Sequence, residues 1–199
     1  MFMLVVLRLL AAMWFGGALH QPVSPNAAVA SVYDAERIYV EDTIYWHPDH
    51  RLTWDDFRGK PNRGGYTVAL TSSGIGMAYR SDRSGTPVIE VYCFFYCKNS
   101  WVKDDGRTDY ILKHEQMHFD ITELYARKLR QRIEQMPVKT RTWPAVQKLY
   151  TQINRECDAR QTRYDGETHH GIDQIKQAEW NKAIERELEQ SAAYASRGI

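Results

Sequence analysis

Apolar and polar positions alternate in one way in the first half of the chain and in another in the second. Residues 38–46, 66–79 and 88–97 are aromatic-rich or β-branched runs, separated by clusters of Pro, Gly, Asn and Asp, and they predict strands. Gly74 and Gly76 fall inside the second run. From Thr108 the period changes. Ile111, Met117, Ile121, Leu124, Tyr125, Leu129 and Ile133 recur mostly three or four apart, which predicts one long amphipathic helix with Thr108 or Asp109 as its N-cap. Met136, Pro137 and the polar stretch to Arg141 end it. Thr142 and Pro144 open a second helix, expected to run to about Arg163, and YDGETHHG (164–171) reads as the loop after it. A third helix is expected from about Asp173 to Ala195, with Ile175, Ala178, Trp180, Ile184 and Leu188 on its apolar face. Strands first and helices second make an α+β chain, with an antiparallel β-rich part over 31–102 and three long helices over 108–197.

The beginning of the chain fits neither pattern. Residues 1–30 hold no acidic residue and one basic residue, Arg8, followed by an apolar run at 9–19. That is the length of a signal-peptide core and well short of the roughly 20 apolar residues a membrane span needs. The expectation is export to the periplasm or medium, cleavage of a leader within 1–30, and no stable membrane span afterwards. Gly16 with Ala18, and Ala28 with Ala30, are the alternative cleavage points. The remaining 31–199 are expected to form a single domain.

Composition then narrows the function classes. With 199 residues, 43% apolar and 12% aromatic, the chain can build a real core. Without residues 1–30 it carries 25 basic and 25 acidic residues, so it offers no electrostatic footprint for nucleic acid or anionic lipid. Function has to come from a local site. Cys93, Cys97 and Cys157 are compatible with one disulfide in an exported protein, with one thiol left over.

The strongest chemistry lies in LKHEQMHFDITELY, residues 112–125. On a helix His114 and His118 stand about 40° apart on one face with Glu115 beside them. Two imidazoles one turn apart can hold one Zn²⁺, while the neighbouring carboxylate serves as general base for a water activated there. The competing reading is a pair of hydrogen-bonded core histidines, since both fall within the apolar stripe. Helix geometry says where a third ligand would come from. The first helix runs about 27 Å from His118 to Met136, and an antiparallel second helix returns that distance by about residue 161. Asp165, Glu167, His169 and His170 therefore arrive level with the two histidines, and spacing does not choose among them.

HEQMHFD followed by LYARKL, with LTWDDFRGKP and NSWV before it and YDGETHHG and a later Gln and Trp after it, resembles a family of exported bacterial proteins described as zinc-dependent proteases and known as a domain of unknown function. The resemblance spans roughly residues 38–190. It implies a metalloprotease-like domain with a zincin-like active-site helix, one zinc per chain, and a peptide or protein substrate. His114, Glu115 and His118 match the family's helix, and His170 matches the histidine before the glycine of its later loop. Metal ligation by His114, His118 and His170 with catalysis by Glu115 is then the expectation, with Asp165, Glu167, His169 and Asp120 as alternative ligands or as partners of the ligands. Trp54, Asp55 and Phe57 read first as an aromatic corner and turn cap, and Trp54 and Phe57 as a substrate groove second. The rival function is a non-catalytic extracytoplasmic binding module, with a structural zinc or a metal-free histidine cluster.

Overall fold

Where the two long strands pair, glycines of one strand face aromatic rings of the other. In the computed structural model, which describes residues 39–195 apart from 41 and 63, these strands are β4 (Ser73–Ser81) and β5 (Pro87–Tyr96). They pair antiparallel with Gly74 opposite Phe94 and Gly76 opposite Tyr92. A Cβ on Gly74 would stand 3.0 Å from the Phe94 ring, and one on Gly76 would run into Tyr92, so the missing side chains make room for the rings. The sequence run at 38–46 becomes two short strands, β1 (Tyr39–Val40) and β2 (Thr43–Tyr45), rather than one; residue 38 lies outside the described part. The run at 66–79 is likewise divided. Its start is β3 (Ala69–Leu70), which pairs with β6 (Trp101–Val102) in a separate two-stranded sheet. The main sheet has the order β1-β2-β5-β4, antiparallel throughout.

Three helices follow: α1 (Asp109–Gln135), α2 (Trp143–Thr168) and α3 (Gln174–Gln190). The class is α+β, as the patterning indicates. Thr108 caps α1 by accepting the Ile111 N–H at 3.2 Å, and Asp173 caps α3 by accepting that of Lys176 at 3.0 Å. The expected end of α3 is a short 3-10 turn instead, Ala192–Tyr194. Its buried face is Gln177, Trp180, Asn181 and Ile184, whereas Ile175 is 74% exposed and Ala178 also faces outward. At about 100° per residue Ile175 points away from that face, so Trp180, Ile184 and Leu188 of the stripe read from the sequence meet the core while Ile175 and Ala178 do not.

The apolar stripe read on α1 is in the core, but its polar side is covered as well: every residue from His114 to Arg127 except His118 is buried, and His118 is nearly so. The sheet covers one side, with Phe57 meeting Phe95 edge-on at 5.1 Å and Phe95 tilted against Phe119 at 5.7 Å. α2 and α3 cover another. The third side is polar and is satisfied group by group. Gln116 Oε1 accepts the Leu52 N–H at 2.8 Å, and Arg127 pairs with Glu123 and donates to the Leu188 carbonyl. Arg130 bonds Glu123 and the Tyr194 carbonyl. Partners of this kind offset the cost of burying charged and amide groups on that side.

All three cysteines are buried free thiols rather than members of a disulfide. Burial pushes the Cys157 thiol up to about 12, so it stays protonated and unreactive. No helix among the described residues is long and apolar enough to cross a membrane. The leader expected at 1–30 lies outside the described residues.

Candidate metal centre

α2 runs back along α1, as the contacts of Glu156 with Arg132, Gln161 with His118 and Tyr164 with the His114 carbonyl show. It does not stop near Arg163 but continues to Thr168. Tyr164 is the reason: fully buried, it stacks on the His114 ring at 4.8 Å and meets His118 edge-on at 5.0 Å. This packing outweighs the poor helix propensity of Asp165 and Gly166. The extra turn places Asp165 one turn beyond Gln161 on the face that looks at α1.

Hydrogen bonds fix which nitrogen of each histidine faces inward. Gln161 Nε2 donates to the His118 carbonyl at 2.8 Å and to Thr122 Oγ1 at 3.2 Å, so its Oε1, 2.6 Å from His118 Nδ1, accepts the Nδ1–H. Gln177 Nε2 donates to Asn181 Oδ1 at 2.7 Å and to the Tyr164 hydroxyl at 2.5 Å, so its Oε1 accepts from His114 Nδ1 at 2.8 Å. Both Nε2 atoms therefore point inward, 3.2 Å apart, and present lone pairs to a metal whenever they carry no proton. Asp165 Oδ1 stands 3.2 Å from His114 Nε2 and 3.0 Å from His118 Nε2, buried and with no hydrogen-bond donor. Three acceptors converging in this way repel one another unless a cation lies between them. Their separations are close to the edge of about 3.3 Å expected for a tetrahedron with bonds of about 2.0–2.1 Å, the zinc–nitrogen and zinc–oxygen distances. The group His114, His118 and Asp165 could hold a metal ion.

A proton is the metal's competitor. Burial works to lower the pKa of His118, but the Asp165 carboxylate outweighs it and raises it to about 9 in metal-free protein. Burial works the other way on Asp165, yet His118 and His114 hold its carboxyl well below the usual range. The raised histidine adds stability that is complete below its unfolded pKa of about 6.5 and disappears as pH rises through about 9. The depressed carboxylate adds stability above its unfolded pKa of about 3.9 and loses it on acidification. Metal-free protein is therefore expected to gain most from the pair between about pH 4 and 6.5, whereas metal affinity should climb toward pH 9. Calorimetric zinc titrations at pH 7.5 in buffers of different ionisation enthalpy should show about one proton released from His118 per metal bound.

Residues 98–171 match the model of DUF922, a bacterial protein family of unknown function. The DUF922 match contains His114, Glu115, His118, Gln161, Asp165 and Gly171, and it ends before Gln177. No curated protein and no solved structure matches the chain.

Glu115 follows His114 on α1, 5% exposed, and its Oε2 is buried with no hydrogen-bond partner. Thr71 Oγ1 donates to its carbonyl at 3.2 Å. The structure puts His170 at the rim: its ring is 64% exposed with Nδ1 3.7 Å from Asp165 Oδ1, outside the group of converging donors. His169 is the left-handed C-cap of α2. Glu167 turns outward to Arg163 at 2.6 Å and Trp180 Nε1 at 2.9 Å. Asp120 touches neither histidine. It accepts from Trp46 Nε1 at 2.7 Å, Gln116 Nε2 at 2.9 Å and Arg51 at 2.9 Å, and burial pushes its carboxyl up against the pull of Arg51. Phe57 is 4% exposed and belongs to the core, so it lines no groove, and Trp54 packs on it at 4.9 Å. The turn there is capped by Asp56, whose carboxylate accepts from Thr53 N–H and Oγ1, and not by Asp55.

The sequence reading missed Gln161, Tyr164 and Gln177, and the part played by Gly171. A Cβ on Gly171 would stand 3.1 Å from His114 Nδ1, and its φ of 81° suits glycine, so its close approach is to that ring. The 161/165 spacing of four was the available signal for Gln161. Replacing Gln161 or Gln177 by leucine should weaken zinc by about 10- to 100-fold through loss of the Nδ1 acceptor. Chelator competition measures it.

Proposed function

We propose that this chain is an exported zinc-dependent hydrolase that cleaves peptide bonds. The observation that carries the reading is the convergence of His114 Nε2, His118 Nε2 and Asp165 Oδ1 at 3.0–3.2 Å, next to a buried carboxylate with an unpartnered oxygen. Two imidazoles and one carboxylate are a zinc donor set, and three ligands leave a position open, as catalytic sites require and closed structural sites do not. The alternative of a structural zinc would want a fourth protein ligand, and the group among the described residues has three.

Bound zinc would supply a Lewis acid that polarises the scissile carbonyl and makes water a nucleophile near neutral pH. The chain's own residues do the rest. Gln161 and Gln177 hold the two imidazoles with Nε2 inward, and Asp165 offsets part of the metal's charge. Glu115 takes a proton from the attacking water and delivers it to the leaving nitrogen. The choice of peptide bonds as substrate rests on analogy between the His114–Glu115–His118 helix and that of zinc peptidases.

The test is elemental analysis of protein prepared with zinc, together with digestion of a broad peptide library before chelation, after it, and after zinc add-back. Zinc near one per chain and cleavage that follows the metal are expected. Zinc-free protein would end the metal reading, and zinc-loaded protein that leaves the library intact would end the peptidase reading.

A further inference from the structure

We propose that His170 is a catalytic residue that donates a hydrogen bond to the scissile carbonyl oxygen as that oxygen gains negative charge; the inference rests on the hydrolase reading above. The first observation is the shape of the turn after α2. His169 and His170 have φ of 49° and 56°, two successive left-handed residues of which neither is glycine. Such a conformation is unfavourable for residues with a side chain and persists where surrounding contacts impose it. Here the contacts come from α1, from α2 and from the N-cap of α3. The His170 N–H donates to the Asp165 carbonyl at 2.8 Å, Gly171 N–H to Thr168 Oγ1 at 3.2 Å, and Asp173 N–H to the Thr168 carbonyl at 2.9 Å. The Tyr110 hydroxyl donates to the Gly171 carbonyl at 2.5 Å, and Gly171 lies against the His114 ring. The turn is therefore fixed to the metal centre itself.

The second observation is where this turn leaves the imidazole. Its Nδ1 is 3.7 Å from Asp165 Oδ1, close but beyond hydrogen-bond range, and its side chain is 64% exposed while those of His114, His118 and Asp165 are 6, 15 and 13% exposed. His170 thus stands at the solvent side of the three converging donors without joining them.

The third is that the other donors around the centre are committed. The amides of Gln161 and Gln177 serve the two histidines, and the Tyr164 hydroxyl is buried between Gln177 and the His114 carbonyl. Tyr110 holds Gly171, and Arg163 holds Glu167. The His170 ring, whose nearest polar approach is the 3.7 Å to Asp165 Oδ1, is free to face a substrate.

In the step assigned, a bond forms between the water oxygen and the carbonyl carbon, the C=O π pair moves onto the carbonyl oxygen, and Glu115 takes one water proton. His170 keeps its own proton and donates an N–H to the new oxyanion. When the C–N bond breaks, the carbonyl re-forms, the nitrogen departs with the proton carried by Glu115, and the second water hydrogen stays on the new carboxyl group until that ionises. A pre-positioned donor of this kind is worth about 10²- to 10³-fold in kcat.

The experiment compares zinc-loaded wild type with His170→Ala, His170→Gln and His170→Gly; the glycine variant accepts the positive φ and so protects the comparison against a turn that fails to form. A peptide selected from the library digest is the substrate. His170→Ala and His170→Gly should lose about 10²- to 10³-fold in kcat with KM changed less than about threefold, and His170→Gln, whose amide can donate, should recover about tenfold. Zinc affinity by chelator competition and the visible spectrum of the cobalt-substituted protein should be unchanged in all three. A changed cobalt spectrum, or zinc weakened beyond about 10²-fold, would make His170 a ligand and overturn the proposal. Unchanged kcat, or a loss confined to KM, would overturn it equally. Wild type that binds zinc but cleaves no peptide would count against the hydrolase reading instead, with the cobalt spectra still deciding between ligand and bystander.

Discussion

Asp165→Ala is expected to lose zinc on mild dialysis, while His170→Ala retains it. The carboxylate is 13% exposed and its Oδ1 lies within 3.2 Å of both imidazole nitrogens, so its removal takes away one of three donors and the only negative charge among them. The loss should exceed the 10- to 100-fold of a residue that merely orients a ligand. Elemental analysis and chelator competition read it directly. Thermal unfolding gives an independent check, since ligand binding to the folded state raises Tm with concentration and the variant should no longer respond to added zinc. Full zinc occupancy in Asp165→Ala would reassign the centre.

Glu115→Gln should behave in the opposite way: metal kept, hydrolysis reduced by about 10²- to 10⁴-fold. Glutamine preserves the size of the side chain, and the unpartnered Oε2 means that no described hydrogen bond is broken by the exchange. Steady-state cleavage of a library-derived peptide by zinc-loaded protein is the measurement. Unchanged turnover would remove Glu115 from the chemistry, and loss of zinc would turn it into a ligand.

The start of each helix was legible in the sequence because caps are local: Thr108, Thr142 with Pro144, and Asp173 stand where the helices begin. The pairing of His114 with His118 was legible for the same reason, being set by helical spacing alone. What could not be read is what depends on contacts across the fold. Asp165 and Gly166 look like loop residues until Tyr164 is seen packed on His114, and that packing decides how far α2 runs and which donor it delivers. The length argument brought residues 165–170 to the right level, but choosing among them needed the helical register. Gln177 belongs to a third helix, and nothing local marks it. The stripe on α3 was misjudged in part because a glutamine and an asparagine occupy its buried face, where the pattern favoured Ile175 and Ala178.

The all-round burial of α1 limits how the centre can be excised from its host. A fragment cut to the DUF922 boundaries, residues 98–171, would keep His114, His118 and Asp165 but strip Gln177 from His114 Nδ1. It would also leave Asp120 without Trp46 and Arg51, Gln116 without Leu52, and Arg127 without Leu188. Charged and amide groups that are silent inside the whole protein would become stranded polar atoms on a bare helix. The smallest portable unit is therefore set by the partners of the helix and reaches from the loop at Trp46 to the turn at Tyr194.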